Sequence, residues 1–393
     1  MRPPGARPSS QVARQHRATI ATRVYFPEGS AAAYRLHALA EAFVAAGYQT
    51  TVLTTRAPGA TAQPGVRRWP VLRDRTGAVR GYVQYASFDI PLFFRLLSAK
   101  RSDVVVVEPP PTTGIAARLA CWLRRTPYVY YSADVSSTAA EGIGVSPVVV
   151  RLLRRIESWV LRGARLILTV SPEVADELAH LRADPGRIAV VGTGIDTASF
   201  CREGDRHHED DPYFVYGGTM SEIQGAGIFV DAFALVATED PSVRLRFFGS
   251  GVEYDELVER AAAASDRIEI HGTIPATELA PWIRGAVAGL ASVRPTRGYD
   301  FAFATKALVS LSCGTPVIYS GVGPLAGVIR DADLGWVASW DAEDVAAAMK
   351  KALASPASSA ARSRKLSQWV DENYSLHAVA GRAVDAISRA IAR

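Results

Sequence analysis

Cysteine is scarce in this chain. Cys121, Cys201 and Cys313 are the three thiols of a 393-residue sequence, and they stand far apart. No two have metal-ligand spacing, and an odd, scattered set argues against a disulfide framework. An intracellular, cytoplasmic chain is the simpler reading. Long apolar runs are missing too: none approaches the ~20 residues that span a bilayer, so a soluble or peripheral protein is expected. No G-x-G-x-x-G follows a strand, which disfavours a dinucleotide dehydrogenase. No D-x-D stands at a suitable strand end, so no metal site is expected and the chemistry should be metal-independent. The net charge is only +5, its arginines are spread over helix faces, and no nucleic-acid motif accompanies them. Anionic substrates or a membrane surface are the partners that this balance leaves open.

What is present describes a soluble α/β protein. Hydrophobic residues make up 48% and charged residues 21%, ordinary globular values, and the length suits about two domains. Residues 1–18 are rich in Pro, Arg and Ser and read as a disordered lead-in. A β-rich run, 19–26, then meets the turn Pro27-Glu28-Gly29-Ser30. Leu36, Leu39, Ala40 and Phe43 follow at helical spacing, and Thr51-Val52-Leu53 is the next strand. This βαβ start predicts a parallel sheet. Gly29 and Ser30 lie at its strand–helix corner, which faces phosphates in such folds or is a plain turn.

Residues 66–87 read as a hairpin-like region. The segment 87–100, SFDIPLFFRLLSAK, reads as a core helix or as a contact for a hydrophobic acceptor or membrane. Asp103 to Glu108 is a buried parallel strand ended by three prolines. The strand 127–131 delivers Asp134 to a carboxyl edge, where doubly wound sheets bind ligands. Asp134 there contacts an acceptor hydroxyl or reacting sugar, or it caps the next segment. Residues 135–146 read as a mobile polar loop. The basic face of helix 147–162, with Arg151, Arg154 and Arg155, is solvated or suits lipid headgroups. The polar run 201–212, CREGDRHHEDDP, is placed as the domain linker. It separates a first domain, 19–200, from a second, 213–372, with a C-terminal helix, 373–393, packing back on the first. The last helix is read as one piece from 362 to 392.

In the second half, strands end repeatedly in Gly-rich or polar turns. These are Gly217-Gly218-Thr219 with Gln224 nearby, Gly249-Ser250-Gly251, and Gly272-Thr273-Ile274. One edge lined this way suggests a nucleotide cleft. The stretch 299–320 is the most informative. Asp300 sits in a loop, Thr305 caps or nearly caps a helix carrying Lys306, Leu308 and Leu311, and Gly314 and Pro316 end it. A helix N-terminus beside a lone Lys suits an anion, here a nucleotide diphosphate; the alternative is a surface helix with a solvated Lys.

Taken together, FPEGSAAAYRLHALAEAF, LTVSPEVADEL, GTGIDTASF, YGGTMSEIQGAG, FFGSG, IEIHGTIP and ATKALVSLSCGTPVI resemble, in order and spacing, the retaining nucleotide-sugar glycosyltransferases of family 4. The branch they look most like acts in surface-polysaccharide and natural-product assembly. The resemblance implies the GT-B fold: α/β, two facing Rossmann-like domains with parallel sheets and a cleft between them. By it, Gly29, Ser30, Gly217, Gly218 and Thr219 approach the donor phosphates. Gln224 stands where many relatives carry Lys, and Lys306 matches the Lys of a P-S-K or P-T-K motif. Gly249, Gly272, Ile274 and Thr305 complete the donor side. The family's paired Glu residues would fall on Phe301 and Val309; both are absent, and Asp300 is the nearest acid. Asp134 matches an acid of the acceptor loop, with Val135-Ser136-Ser137 replacing the usual aromatic-proline sequence.

The activity implied is transfer from a nucleotide diphosphate sugar, a UDP-sugar by preference, without a bound cofactor. Asp134, Lys306 and Asp300 carry the chemistry. The expected acceptor is a small saccharide or an aminocyclitol, as in aminoglycoside-type natural products. A lipid-linked saccharide, a noncatalytic sugar-nucleotide-binding homologue and a sugar-nucleotide epimerase are the alternatives.

Overall fold

A computed structural model describes residues 16–28, 30–57, 59–74, 77, 79, 81–142, 145–296, 302–355 and 359–392. The chain forms two compact units, Met1–Thr193 with Val379–Arg393, and Gly194–Ala378.

The first unit holds seven strands, β1 (Arg17–Ala21), β2 (Gln49–Thr55), β3 (Val66–Trp69), β4 (Val104–Val107), β5 (Tyr128–Ser132), β6 (Leu166–Thr169) and β7 (Ile188–Val190). All pair in parallel in the order β3-β2-β1-β4-β5-β6-β7. Helices α1 (Ala31–Ala45), α2 (Tyr82–Ser98), α3 (Pro111–Arg124), α4 (Ser136–Gly142), α5 (Pro147–Gly163) and α6 (Pro172–His180) alternate with them. The apolar runs of the central strands follow from burial on both faces. Successive side chains of a strand point to opposite faces. Val104, Val106 and Tyr131 therefore pack with Phe43 and Ile387, whereas Val105, Val107 and Tyr130 pack with Phe88 and Val160.

The second unit has six parallel strands, β8 (Tyr213–Gly217), β9 (Arg244–Phe248), β10 (Ile268–His271), β11 (Ala288–Val293), β12 (Val317–Gly321) and β13 (Gly335–Ala338), ordered β10-β9-β8-β11-β12-β13. Helices α7 (Gly227–Glu239), α8 (Tyr254–Ala264), α9 (Ala276–Gly285), α10 (Thr305–Ser312), α11 (Pro324–Asp331), α12 (Ala342–Ala354) and α13 (Ala360–Tyr374) complete it, and α14 (Leu376–Ala392) runs on into the first unit. In each sheet the strand order reverses once, between β1 and β4 and between β8 and β11. Such reversals open a crevice at the carboxyl ends of the two strands.

Several segments differ from the sequence reading. Residues 66–87 form no hairpin: β3 pairs in parallel with β2. Pro111 does not end a segment but opens α3 at its first turn, where a missing N–H costs nothing. The polar loop after Asp134 contains α4, because Glu157 reaches back from α5 to accept the Ser136 and Ser137 N–H groups (2.9 and 3.1 Å). Residues 201–212 lie inside the second unit. They are pinned by Arg284, which donates to the Asp205 and Cys201 carbonyls, and by the Arg246–Glu209 pair. The final helix breaks at Ser375, whose extended backbone (φ −65°, ψ 150°) bridges to Ile195.

The end of α10 follows the sequence expectation. Gly314 adopts φ +76°, and a Cβ there would stand 2.0 Å from the Ser363 Oγ. The left-handed backbone alone costs an L-residue about 1–2 kcal/mol, and the overlap adds to that. Gly314→Ala should therefore lower the stability of the second unit by at least about 2 kcal/mol, read as a lowered urea midpoint. An unchanged midpoint would show that Ser363 yields freely.

Candidate functional site

The second unit's reversal point brings a glycine-lined backbone turn against the Lys306 ammonium. The chain leaves β8 through Gly218 at φ +126°, and the Gly218 N–H donates to the Phe248 carbonyl (2.8 Å). Two glycines make this approach feasible. A Cβ on Gly249 would lie 2.0 Å from the Gly218 carbonyl oxygen, and one on Gly218 would lie 3.0 Å from Lys306 Cε. Lys306 stands in the first turn of α10, whose N-cap, Ala304, brings no side-chain acceptor; the Thr305 and Ala307 N–H groups on either side donate to the Phe303 and Ala304 carbonyls (2.9 and 3.0 Å). Thr305 is the helix's first residue rather than its cap. The Lys306 ammonium lies 5.3 Å from the centre of the Tyr216 ring, and the Tyr216 hydroxyl donates to the Thr219 carbonyl (2.8 Å). Burial pushes the ammonium pKa down from 10.5 to about 8. No carboxylate pairs with it among the described residues.

Around this core, Gln224 Oε1 accepts the Ser221 hydroxyl (2.5 Å) and its backbone carbonyl accepts that of Ser292 (2.7 Å). Both contacts fix the turn, and the side chain there is a neutral amide. Arg294, just past β11, is taken up by Glu253 (2.9 Å). Burial raises the Glu253 carboxyl pKa, and Arg294 opposes that rise. Gly272 is exposed with no atom within 4 Å of a would-be Cβ, so sterics do not demand glycine there. Ile274 packs on the apolar cluster of Tyr213, Phe248 and Leu279. Asp300 and Gly29 lie outside the described residues. Val309 is half-buried against apolar neighbours, so its position offers no carboxylate.

The first unit carries its own constellation at the β1–β4 reversal. Glu108, at the end of β4, is buried and accepts the Thr22 hydroxyl (2.6 Å). Burial raises its carboxyl pKa, and Arg35, with Nη2 3.9 Å away, opposes that rise. Arg23 donates to the Val79 and Pro109 carbonyls (3.0 and 3.3 Å) and lies over the Tyr85 ring at 4.1 Å. The Nε atoms of Arg23 and Arg35 are buried without a partner among the described residues. These groups and Asp134 line a cavity of about 670 Å³. Asp134 itself is exposed, not buried, and Glu157 holds the capping role that Asp134 would have had. Ser30 caps α1, its Oγ accepting the Ala33 N–H (3.2 Å). Sequence reasoning missed Arg23, Arg35, Glu108 and Glu157. Arg23 and Glu108 directly follow or end β-runs, a signal that becomes useful only once the strand order is known.

Comparison with known proteins gives two domain matches. Residues 30–194 match the Glycosyl transferase 4-like domain, and residues 211–355 match Glycosyl transferases group 1. Over 180 residues the chain is 31% identical to a D-inositol 3-phosphate glycosyltransferase of Pseudarthrobacter chlorophenolicus, covering 42% of each. It is 27% identical over 241 residues to a glycogen synthase of Mycobacterium tuberculosis, covering 60% of this chain and 57% of that protein. The chain thus spans about half the length of the curated relatives it matches. The structure of a sucrose-phosphate synthase from Thermosynechococcus elongatus superposes with a TM-score of 0.68 over 96% of this chain and 99% of that one, at 17% identity.

The Lys306 geometry fixes a pH dependence. In the unliganded protein its ammonium loses its proton near pH 8, and a bound phosphate favours the protonated form. Below about 8 the group is charged and affinity is flat as far as Lys306 is concerned. Above 8, binding must take up a proton, so UDP affinity falls by up to about tenfold per pH unit. Calorimetry at pH 7 and pH 9 in buffers of different ionisation enthalpy reads both the loss and the proton uptake. A Lys306→Met variant should abolish both; a slope that survives in it would assign the titration elsewhere.

Proposed function

Because the chain belongs to the GT-B glycosyltransferases, with a 4-like first domain and a group 1 second domain, we propose that it transfers a glycosyl group from a UDP-sugar to a hydroxyl of a polar acceptor. The acceptor class is a small saccharide or an aminocyclitol, and the anomeric configuration is retained. The observation that carries this reading is the buried ammonium of Lys306, unpaired among the described residues, against the Gly218 turn. As the bond from the anomeric carbon to the phosphate oxygen breaks, negative charge grows on the leaving diphosphate. Lys306, through its ammonium and its backbone N–H in the first turn of α10, and the Thr219 N–H offset that charge without reorganising, while the Gly218 N–H stays with the Phe248 carbonyl. The acceptor hydroxyl attacks the same face of the sugar, and its proton passes to the leaving phosphate oxygen. The positive charge comes from the protein, so no divalent ion is required.

The first unit supplies the acceptor site through the cavity at Asp134, Glu108, Arg23 and Arg35. Its acids and bases nearly balance, which suits a polar acceptor of low net charge. An exposed carboxylate such as Asp134 can accept from a hydroxyl or pair with an amino group. A lipid-linked saccharide is the second reading, favoured by the exposed Ile90 and Phe94 on α2.

Lys306→Ala should cut kcat by 10²–10³-fold, about 3 kcal/mol, as for losing one preorganised donor. Turnover in EDTA should equal turnover in added Mg²⁺ for the unaltered protein. Near-normal kcat in Lys306→Ala would remove the phosphate role. Asp134→Asn should raise the acceptor KM or lower kcat while leaving the calorimetric affinity for UDP unchanged; an equal loss of UDP affinity would take Asp134 out of the acceptor site.

A further inference from the structure

One face of the first unit's sheet is covered by α2, α3 and α5, which bury Phe88, Ala117 and Val160 beneath them. The outer surface of this layer is apolar where water would be expected. Ile90 and Phe94 on α2 are 61% and 60% exposed, and Trp122 and Leu123 at the end of α3 are 75% and 55% exposed. The two helices pack along each other and are tied at their ends by Arg124, which donates to the Leu97 carbonyl. Trp69 of β3 joins Ile90, Phe94 and Leu97 around a shallow groove of about 720 Å³.

The charge around this surface has one sign. Arg67, Arg95, Lys100, Arg101, Arg124 and Arg125 surround it. The Arg95 guanidinium donates to the Arg67 carbonyl and that of Arg101 to the Arg125 carbonyl. These bonds satisfy geometry but leave the charge uncompensated, and among the described residues no carboxylate pairs with any of the six. The acid on β3, α2 and α3 is Asp89, which is buried and accepts the Thr113 hydroxyl (2.7 Å). Asp103, nearby in sequence, is held by the Arg17 N–H.

That sign decides the occupant. A second copy would set arginine against arginine. The chain's own first fifteen residues carry Arg2, Arg7 and Arg14 and no acid. Indole and phenyl rings beside guanidinium groups match the boundary between phosphate headgroups and acyl chains, where aromatic rings bury their apolar part and cations meet phosphate. We propose that the α2–α3 face, with Trp69, seats the first unit on an anionic lipid bilayer. Ile90, Phe94 and Trp122 enter the headgroup boundary, and the arginines lie against the lipid phosphates. This docking is independent of the donor chemistry at Lys306.

The full-length protein is floated with phosphatidylcholine vesicles, with or without phosphatidylglycerol. The expected result is co-flotation with the anionic vesicles alone, weakened by added salt. Arg101→Glu with Arg125→Glu, and separately Phe94→Glu with Trp122→Glu, should each lower the partition coefficient at least about tenfold. Because all four side chains are exposed, the thermal midpoint and UDP affinity should not change. Failure to float with either vesicle overturns the proposal, as does equal flotation with both that the variants leave intact. A dimer in solution that Phe94→Glu dissociates would instead make this face an interface between copies. Retention on immobilised polyglutamate that matches vesicle binding and ignores Phe94→Glu would make it a surface for acidic proteins, and would likewise overturn the proposal.

Discussion

A buried ammonium with no counter-ion among the described residues is an uncommon constraint, and the second unit is arranged around one. Moving the Lys306 pKa from 10.5 to about 8 costs the unliganded fold roughly 3 kcal/mol at neutral pH, at about 1.4 kcal/mol per pH unit. Between those two values the unfolded chain binds more protons than the folded one, so this contribution to stability rises with pH. The core of Phe214, Tyr216, Phe229 and Phe233 holds the turn in place against that cost. The glycines at 218 and 249 follow from the same constraint. Any side chain at 249 would collide with the Gly218 carbonyl, and one at 218 would crowd the Lys306 stem. A site that already carries a desolvated charge and fixed N–H groups need not reorganise when an anion arrives.

The two reversal points differ in electrostatics although their topology is alike. In the first unit, Glu108 sits among Thr22, Arg35 and Arg23, with Asp134 at the rim, so acids and bases meet in one cavity. In the second, Arg294 is neutralised by Glu253 and Lys306 is left in excess. A balanced pocket suits a neutral or zwitterionic polar molecule, and an unbalanced cation suits a phosphate. This contrast in charge is what supports the acceptor and donor roles proposed for the two units.

Local signals in the sequence were read well where the cause was local. The Gly314-Pro316 stop, the all-valine β4 and the βαβ rhythm depend on residues within one turn or strand of each other. The alternation alone carried the parallel sheets. Readings failed where the cause lay far along the chain. The Ser136–Gly142 segment looked like a loop because its cap, Glu157, comes from another helix. The last helix looked continuous because Ile195, which pairs with Ser375, lies far away in sequence. The run 201–212 looks like a linker because the groups that hold it are distant in sequence: Arg244 pairs with Asp211, Arg246 pairs with Glu209, and Arg284 donates to the Cys201 and Asp205 carbonyls.

The candidate site was legible in its cation and its glycines, and less so in how the missing family residues are made up for. Gln224 cannot supply charge, and its oxygen is committed to Ser221. Val309 is packed among apolar side chains, so restoring a glutamate there would bury a carboxylate at considerable cost. Arg294 is the other cation near this turn, but Glu253 claims it, and its guanidinium lies 6.0 Å from the centre of the Trp340 ring. Among the described residues, the unpaired positive charge at the β8–β11 reversal is therefore that of Lys306. A single desolvated cation discriminates strongly between charged and neutral ligands and weakly among nucleotides. On the proposed function, selection of base and sugar would therefore fall to shape and to hydrogen bonds from other parts of the second unit.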